Sequence, residues 1–203
     1  MADNSLFQEK GGLFLQAILR FDWSVFQFID RHLRCAPLDA VMVGITHLGD
    51  AGAVWIALIL ILCRFKKTRR SGAAIGIALL CSLVIGDLLL KNLFARARPF
   101  DLQLWEGLYH YPGLIARPDS YSFPSGHTGS SVGAACSLLL CRRDKWGAAA
   151  VVLALLIGFS RIYLQVHYPT DVLAGAALGL LYGLIGFTAA KHLPGRFWGS
   201  PLR

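Results

Sequence analysis

The chain has 203 residues, of which 55% are hydrophobic and only 16% charged, with a mean hydropathy of +0.53; a soluble domain of this length carries charge at roughly a quarter of its positions. A net charge of +8 would suit nucleic acid, but most basic residues sit in the connections between apolar runs, where they act as topology signals, and the nucleic-acid reading is set aside. The composition predicts an all-α polytopic membrane bundle forming one domain.

Asp3 and Glu9 precede the first apolar stretch and no small-residue cleavage site follows it, which predicts no cleaved signal peptide. Residues 11–29 mix Leu13, Phe14, Phe21, Trp23 and Phe28 with Gln16, Arg20 and Asp22, the composition of a helix lying in the membrane interface. Six crossings are then expected. The first runs from Pro37 to about Asp50, the second from Ala51 to Cys63, and the third from Ser71 to about Phe94. The fourth covers Ser125 to Cys141, the fifth Trp146 to about Gln165, and the sixth Thr170 to Ala190. This divides the chain into a cytoplasmic or interfacial segment (1–36), a six-helix membrane domain (37–192) and a cytoplasmic tail (193–203). The sixth helix is rich in glycine and alanine (Ala174, Gly175, Ala176, Gly179, Gly183), as close helix packing requires. Five cysteines with no CxxC pair argue against a disulfide framework and against zinc.

Six alternating crossings put 15 of the 20 basic residues on one face. These are Lys10, Arg20, Arg31 and Arg34; Arg64, Lys66, Lys67, Arg69 and Arg70; Arg142, Arg143 and Lys145; and Lys191, Arg196 and Arg203. The positive-inside rule makes that face cytoplasmic and places both termini there. Lys91, Arg96, Arg98, Arg117 and Arg161 remain outside.

Several runs are shorter than the ~20 apolar residues a crossing needs. Their missing length is made up by polar residues at the outer face: Asp87 and Lys91, Ser125 and His127, Ser160 and Arg161, and Asp171. This predicts a polar cavity sunk into one side. A phosphate dianion there would meet three cations, Lys91, Arg98 and Arg161, with the arginines offering planar forks. Ser125 precedes a helix it can cap, and Gly126 lets backbone N–H groups approach an anion. His167 and Asp171 are spaced i, i+4, so a carboxylate can fix the imidazole tautomer and leave its other nitrogen free to attack phosphorus. His127 is then the acid that protonates the leaving oxygen and later the base that activates water. With three cations present, no metal or other cofactor is assigned.

These segments, Lys91-x6-Arg98-Pro99, Pro124-Ser125-Gly126-His127 and Ser160-Arg161-x5-His167-x3-Asp171, resemble the three signature motifs of the type-2 phosphatidic acid phosphatase and haloperoxidase superfamily, in its integral-membrane branch. The resemblance covers nearly the whole chain after residue 20 and implies a metal-independent lipid phosphatase acting through a phosphohistidine. By motif position, His167 is implied as nucleophile, His127 as acid and Asp171 as orienting residue, with Lys91, Arg98, Ser125, Gly126 and Arg161 binding phosphate. A short chain of this kind resembles bacterial plasma-membrane members acting from the outer face on phosphatidate, phosphatidylglycerophosphate or undecaprenyl diphosphate. A lipid phosphotransferase and a non-catalytic lipid-binding protein are the alternatives; a vanadate-dependent oxidase gives no reason for membrane spans. No feature sets an oligomeric state.

Three further features carry two readings each. Asp87, one turn before Lys91, either orients it or pairs with it structurally. His47 and Asp50 either reach the cavity or belong only to a helix end. The long connection 95–122, with Trp105, Tyr109, His110, Tyr111 and Arg117, is either a lid over the headgroup or a membrane anchor. His32 and His192 are expected as solvated residues on the cytoplasmic side.

Overall fold

The computed structural model describes residues 12–101 and 111–194. Asp3, Glu9, Lys10, Trp105, Tyr109, His110, Arg196 and Arg203 lie outside the described residues. All regular secondary structure among the described residues is helical: α1 (Leu13–His32), α2 (Ala36–Leu48), α3 (Ala53–Arg64), α4 (Arg69–Cys81), α5 (Lys91–Phe94), α6 (Gly126–Cys141), α7 (Lys145–Tyr163) and α8 (Pro169–Lys191). A π-helical stretch, Ser82–Leu90, carries α4 into α5, and the Lys91 N–H bonds back to Gly86.

Local signals start the helices. The Asp144 carboxylate accepts from the backbone of Trp146 and Gly147 at 3.0 and 3.2 Å and caps α7. Pro169 opens α8, and Asp171 accepts from the Tyr168 N–H at 3.0 Å, so this carboxylate also ends the turn that carries His167.

The bundle packs around α6, which lies against α4, α7 and α8. Small residues set that spacing. A Cβ on Gly179 would come within 2.8 Å of the Gly129 carbonyl, and one on Gly183 within 2.5 Å of the Cys136 Cβ. The close approach expected of the sixth helix is therefore present at its contact with α6. Trp55, Ile75, Leu138 and Ile157 fill the core beside it, with Trp55 Nε1 donating to Ser131 Oγ at 2.9 Å. Large apolar side chains such as Leu60, Leu88, Leu155 and Leu180 are exposed, as on a surface that faces lipid.

By length and composition the helices account for three or four of the six expected crossings. Among the described residues, three helical stretches are long and apolar enough to cross a membrane: the α4–α5 helix, α7 and α8. α2 and α3 qualify together as one bent pair, meeting at 49°, where the sequence reading expected an antiparallel reversal. The reason is local: Ala51 (φ 48°) and Gly52 (φ 70°) are both left-handed, and the two together deflect the chain without turning it back. Both ends of α2 are tied to the last turn of α7, through Tyr163 Oη donating to Asp39 at 2.6 Å and Arg161 Nη1 donating to Thr46 Oγ1 at 2.6 Å.

One reversal fewer moves the N-terminal helix. Trp23 and Phe26 pack on Tyr168, Gln165 donates to Asp30 at 2.9 Å, and Arg34 donates to the Tyr163 carbonyl at 3.1 Å. α1 therefore lies across the α7–α8 turn, at the same end of the bundle as the motif residues, where six alternating crossings would put it at the other end. Arg20, Arg31, His32 and Arg34, in or next to α1, fall at that end as well. The amphipathic character read from its sequence remains, with Trp23, Phe26 and Ile29 buried and Phe21 and Phe28 exposed. Each buried side chain contributes about 1.5–3 kcal/mol to this docking.

Candidate active site

Five of the eight expected site residues line one cavity of about 250 Å³: Lys91, Arg98, His127, Arg161 and His167. Of the remaining three, Ser125 and Gly126 precede His127 at the start of α6, and Asp171 faces His167 from α8. The cavity is closed on its other sides by Thr46, His47 and Asp50 from the α2–α3 bend and by Ile115, Ala116, Pro118 and Ser120 from the long connection. That connection is thus part of the site wall. Arg117 lies 5.3 Å above the Phe100 and Tyr111 rings, which fixes the wall's shape.

His167 is buried in the turn between α7 and α8. Its Nδ1 faces Asp171 Oδ2 at 3.6 Å, longer than a hydrogen bond. Its Nε2 lies 3.4 Å from Arg98 Nη1. Burial first, and then the neighbouring Arg98, Arg161 and Lys91 charges, hold the imidazole well below its ordinary value of 6.5, so it is neutral at neutral pH and has a lone pair to offer.

Asp171 is fully buried and has several partners. Arg96 Nη1 donates to its Oδ1 at 2.5 Å, and Ser122 Oγ and the Tyr168 N–H donate to its Oδ2 at 2.5 and 3.0 Å. Arg96 also stacks over the Tyr168 ring at 3.9 Å, and its Nη2 donates to Asp22 at 3.0 Å. The sequence reading missed Arg96, Asp22 and Ser122. For Arg96 the available signal in the sequence is its place between Lys91 and Arg98.

The cations are held in different ways. Lys91 Nζ pairs with Asp87 Oδ1 at 2.6 Å, so Asp87 does hold the lysine. Arg98 is largely committed to protein: Nε to the Ser120 carbonyl at 2.6 Å, Nη1 to the Val166 carbonyl at 2.6 Å, and Nη2 to Ser120 Oγ at 3.1 Å. It presents a narrower edge than the free fork expected. Arg161 is held by Thr46, and its Nε has no hydrogen-bond partner among the described residues.

Ser125 occupies the N-cap position of α6 but makes no capping bond. Its hydroxyl lies 2.9 Å from Thr128 Oγ1, and its N–H donates to the Asp171 carbonyl at 3.1 Å, stitching α6 to α8. A Cβ on Gly126 would stand 2.5 Å from Asp87 Oδ1; glycine is required so that the partner of Lys91 can lie against the start of α6. His127 Nε2 lies 2.9 Å from Asp50 Oδ1, and the other Asp50 oxygen lies 2.7 Å from His47 Nδ1. His47 and Asp50 therefore reach the cavity.

Residues 71–193 match the PAP2 superfamily. The chain belongs to that superfamily. It is 34% identical over 160 residues to an undecaprenyl-diphosphatase of Sulfolobus acidocaldarius, covering 78% of this chain and 73% of that protein. It is 35% identical over 162 residues to phosphatidylglycerophosphatase B of Bacillus subtilis, covering 71% of each. Among solved structures, a transmembrane PAP2-type phosphatidylglycerolphosphate phosphatase from Bacillus subtilis superposes with a TM-score of 0.68 at 29% identity, over 88% of both chains. Like these PAP2 relatives, the chain is a membrane phosphatase of the lipid class.

Proposed function

We propose that the enzyme hydrolyses a lipid phosphate or diphosphate through a phosphohistidine on His167, without a metal. Nε2 of His167 attacks phosphorus while the bond to the leaving oxygen breaks and His127 protonates that oxygen. Water then attacks the phosphohistidine, its proton passes to His127, and the N–P bond breaks to release inorganic phosphate. Lys91, Arg98 and Arg161 stabilise the charge that spreads over the equatorial oxygens. Asp171, fixed by Arg96 and Ser122, orients the nucleophile. The observation that carries this reading is the convergence of both histidines and all three cations on one 250 Å³ cavity.

The word lipid gains support from a second cavity of about 630 Å³, which shares Lys91 and His127 with the first and runs between α3 and α4 past Ile56, Ile59, Leu79, Leu80 and Leu83. A hydrocarbon tail fits that lining while its phosphate reaches the histidines. The candidates are phosphatidate, phosphatidylglycerophosphate and undecaprenyl diphosphate, of which the last two are in keeping with the names of the relatives. We assign the site to the outer face of the membrane. The connections at the other end of the bundle are basic, with Arg64, Lys66, Lys67, Arg69 and Arg70 in one and Arg142, Arg143 and Lys145 in the other.

The test is phosphate release by the detergent-purified protein from these three lipids in the presence of EDTA. Free phosphate is expected, with none released by His167→Ala. Loss of activity with EDTA, or transfer of labelled phosphate to a second lipid, would oppose metal-free hydrolysis.

A further inference from the structure

We propose that Asp50 is a positioning residue for the catalytic acid and that the α2–α3 bend exists to hold it there. The inference rests on the reading of His127 as acid, and it adds a His47–Asp50–His127 clamp to that reading. Asp50 bridges the two rings, with one oxygen 2.9 Å from His127 Nε2 and the other 2.7 Å from His47 Nδ1. A carboxylate accepting from Nε2–H fixes the His127 tautomer and ring plane and leaves Nδ1 to exchange a proton with the leaving oxygen. His47, more than half exposed, anchors the second carboxylate oxygen and so fixes the carboxylate itself.

Backbone features at the bend point the same way. A Cβ on Gly49 would stand 2.7 Å from His127 Cδ2, so the imidazole lies directly against the residue before Asp50. Ala51 follows in a left-handed conformation (φ 48°), which costs a non-glycine residue roughly 1–2 kcal/mol. One turn earlier, Thr46 accepts from Arg161. A single segment, Thr46–Ala51, thus supports the acid and one phosphate-binding arginine.

The test compares two substrates in kcat/KM, which covers formation of the phosphohistidine. Dioctanoyl phosphatidate has an alkoxide leaving group that needs a proton; p-nitrophenyl phosphate has one that leaves with little help. Asp50→Asn is expected to lower kcat/KM on the phosphatidate by about 10- to 100-fold while changing the aryl ester by less than about 3-fold, in line with general-acid contributions of this order. His127→Ala should show the same discrimination more strongly, His47→Gln should show it weakly, and Asp50→Glu should recover part of the loss. Equal losses on both substrates for Asp50→Asn and His47→Gln, with His127→Ala still discriminating, would overturn the clamp and leave His127 as the acid. No discrimination by His127→Ala would overturn both.

Discussion

Arg96 Nη1 donates to Asp171 Oδ1 at 2.5 Å, while the other oxygen of Asp171 faces His167. The orienting carboxylate is itself oriented, and Arg96 is fixed in turn by Asp22 from α1. Removing the charge at this point lets Asp171 rotate away from the nucleophile. Arg96→Gln is expected to lower kcat by roughly 10- to 100-fold with a smaller change in KM, since displacements on the 1 Å scale carry losses of that size. Asp22→Asn should follow in the same direction. Steady-state kinetics on a soluble phosphatidate measures both, and an unchanged kcat in Arg96→Gln would show that Asp171 holds itself.

The lowered proton affinity of His167 has a definite sign. Its folded-state value lies well below the ordinary 6.5, so the neutral, nucleophilic form persists as pH falls through 6.5. For the same reason the unfolded state gains a proton there that the folded state does not, and this residue's contribution to stability is lost below pH 6.5. NMR of ring-labelled histidine in detergent should find the His167 signal unchanged as pH falls through 6.5. A midpoint near 6.5 would contradict its burial beside three cations.

Helix spacing gives a stability pair. Gly179→Val drives a side chain into the Gly129 carbonyl and Val132, each already 2.8 Å from an ideal Cβ, and should destabilise the bundle by about 1–3 kcal/mol. Gly44→Ala in α2 adds a Cβ with nothing within 4 Å and should be neutral or stabilising by up to about 1 kcal/mol. Thermal melts in detergent compare the two.

The position of α1 makes a topological prediction. Cys35 is exposed at the α1–α2 joint, whereas the other four cysteines are only partly exposed. With the site on the outer face, a membrane-impermeant maleimide added to intact cells should label Cys35. Labelling only after permeabilisation would place α1 and the site on the inner face.

Much of this was legible in the sequence, for reasons that differ by residue. Lys91, Arg98, His127, Arg161 and His167 were identifiable because their chemistry depends on residue type and spacing, and these five line the cavity. The pairing of Asp87 with Lys91, common to both readings of Asp87, follows from i, i+4 helical geometry. Arg96 was hidden because its partners, Asp22 and Asp171, are 74 and 75 residues away, and Asp22 comes from a helix assigned to the other face. That assignment failed at Ala51, where two left-handed residues bend the chain by 49° and do not reverse it. Hydropathy alone does not distinguish a bend from a reversal, and each crossing counted after the first inverts the side of everything before it. The capping bond expected of Ser125 is absent, because its hydroxyl meets that of Thr128.

The central claim is that phosphate passes through His167. Rapid quench of the enzyme with 32P-labelled lipid phosphate, into alkali, followed by peptide mapping, tests it directly. A radiolabelled peptide containing residues 164–168 is expected, stable in base, lost in acid and absent from His167→Ala. The label should accumulate in His127→Ala when the aryl ester is used, because removal of phosphate then lacks its base. Turnover at a normal rate with no label on His167, or label on another residue, would contradict the account.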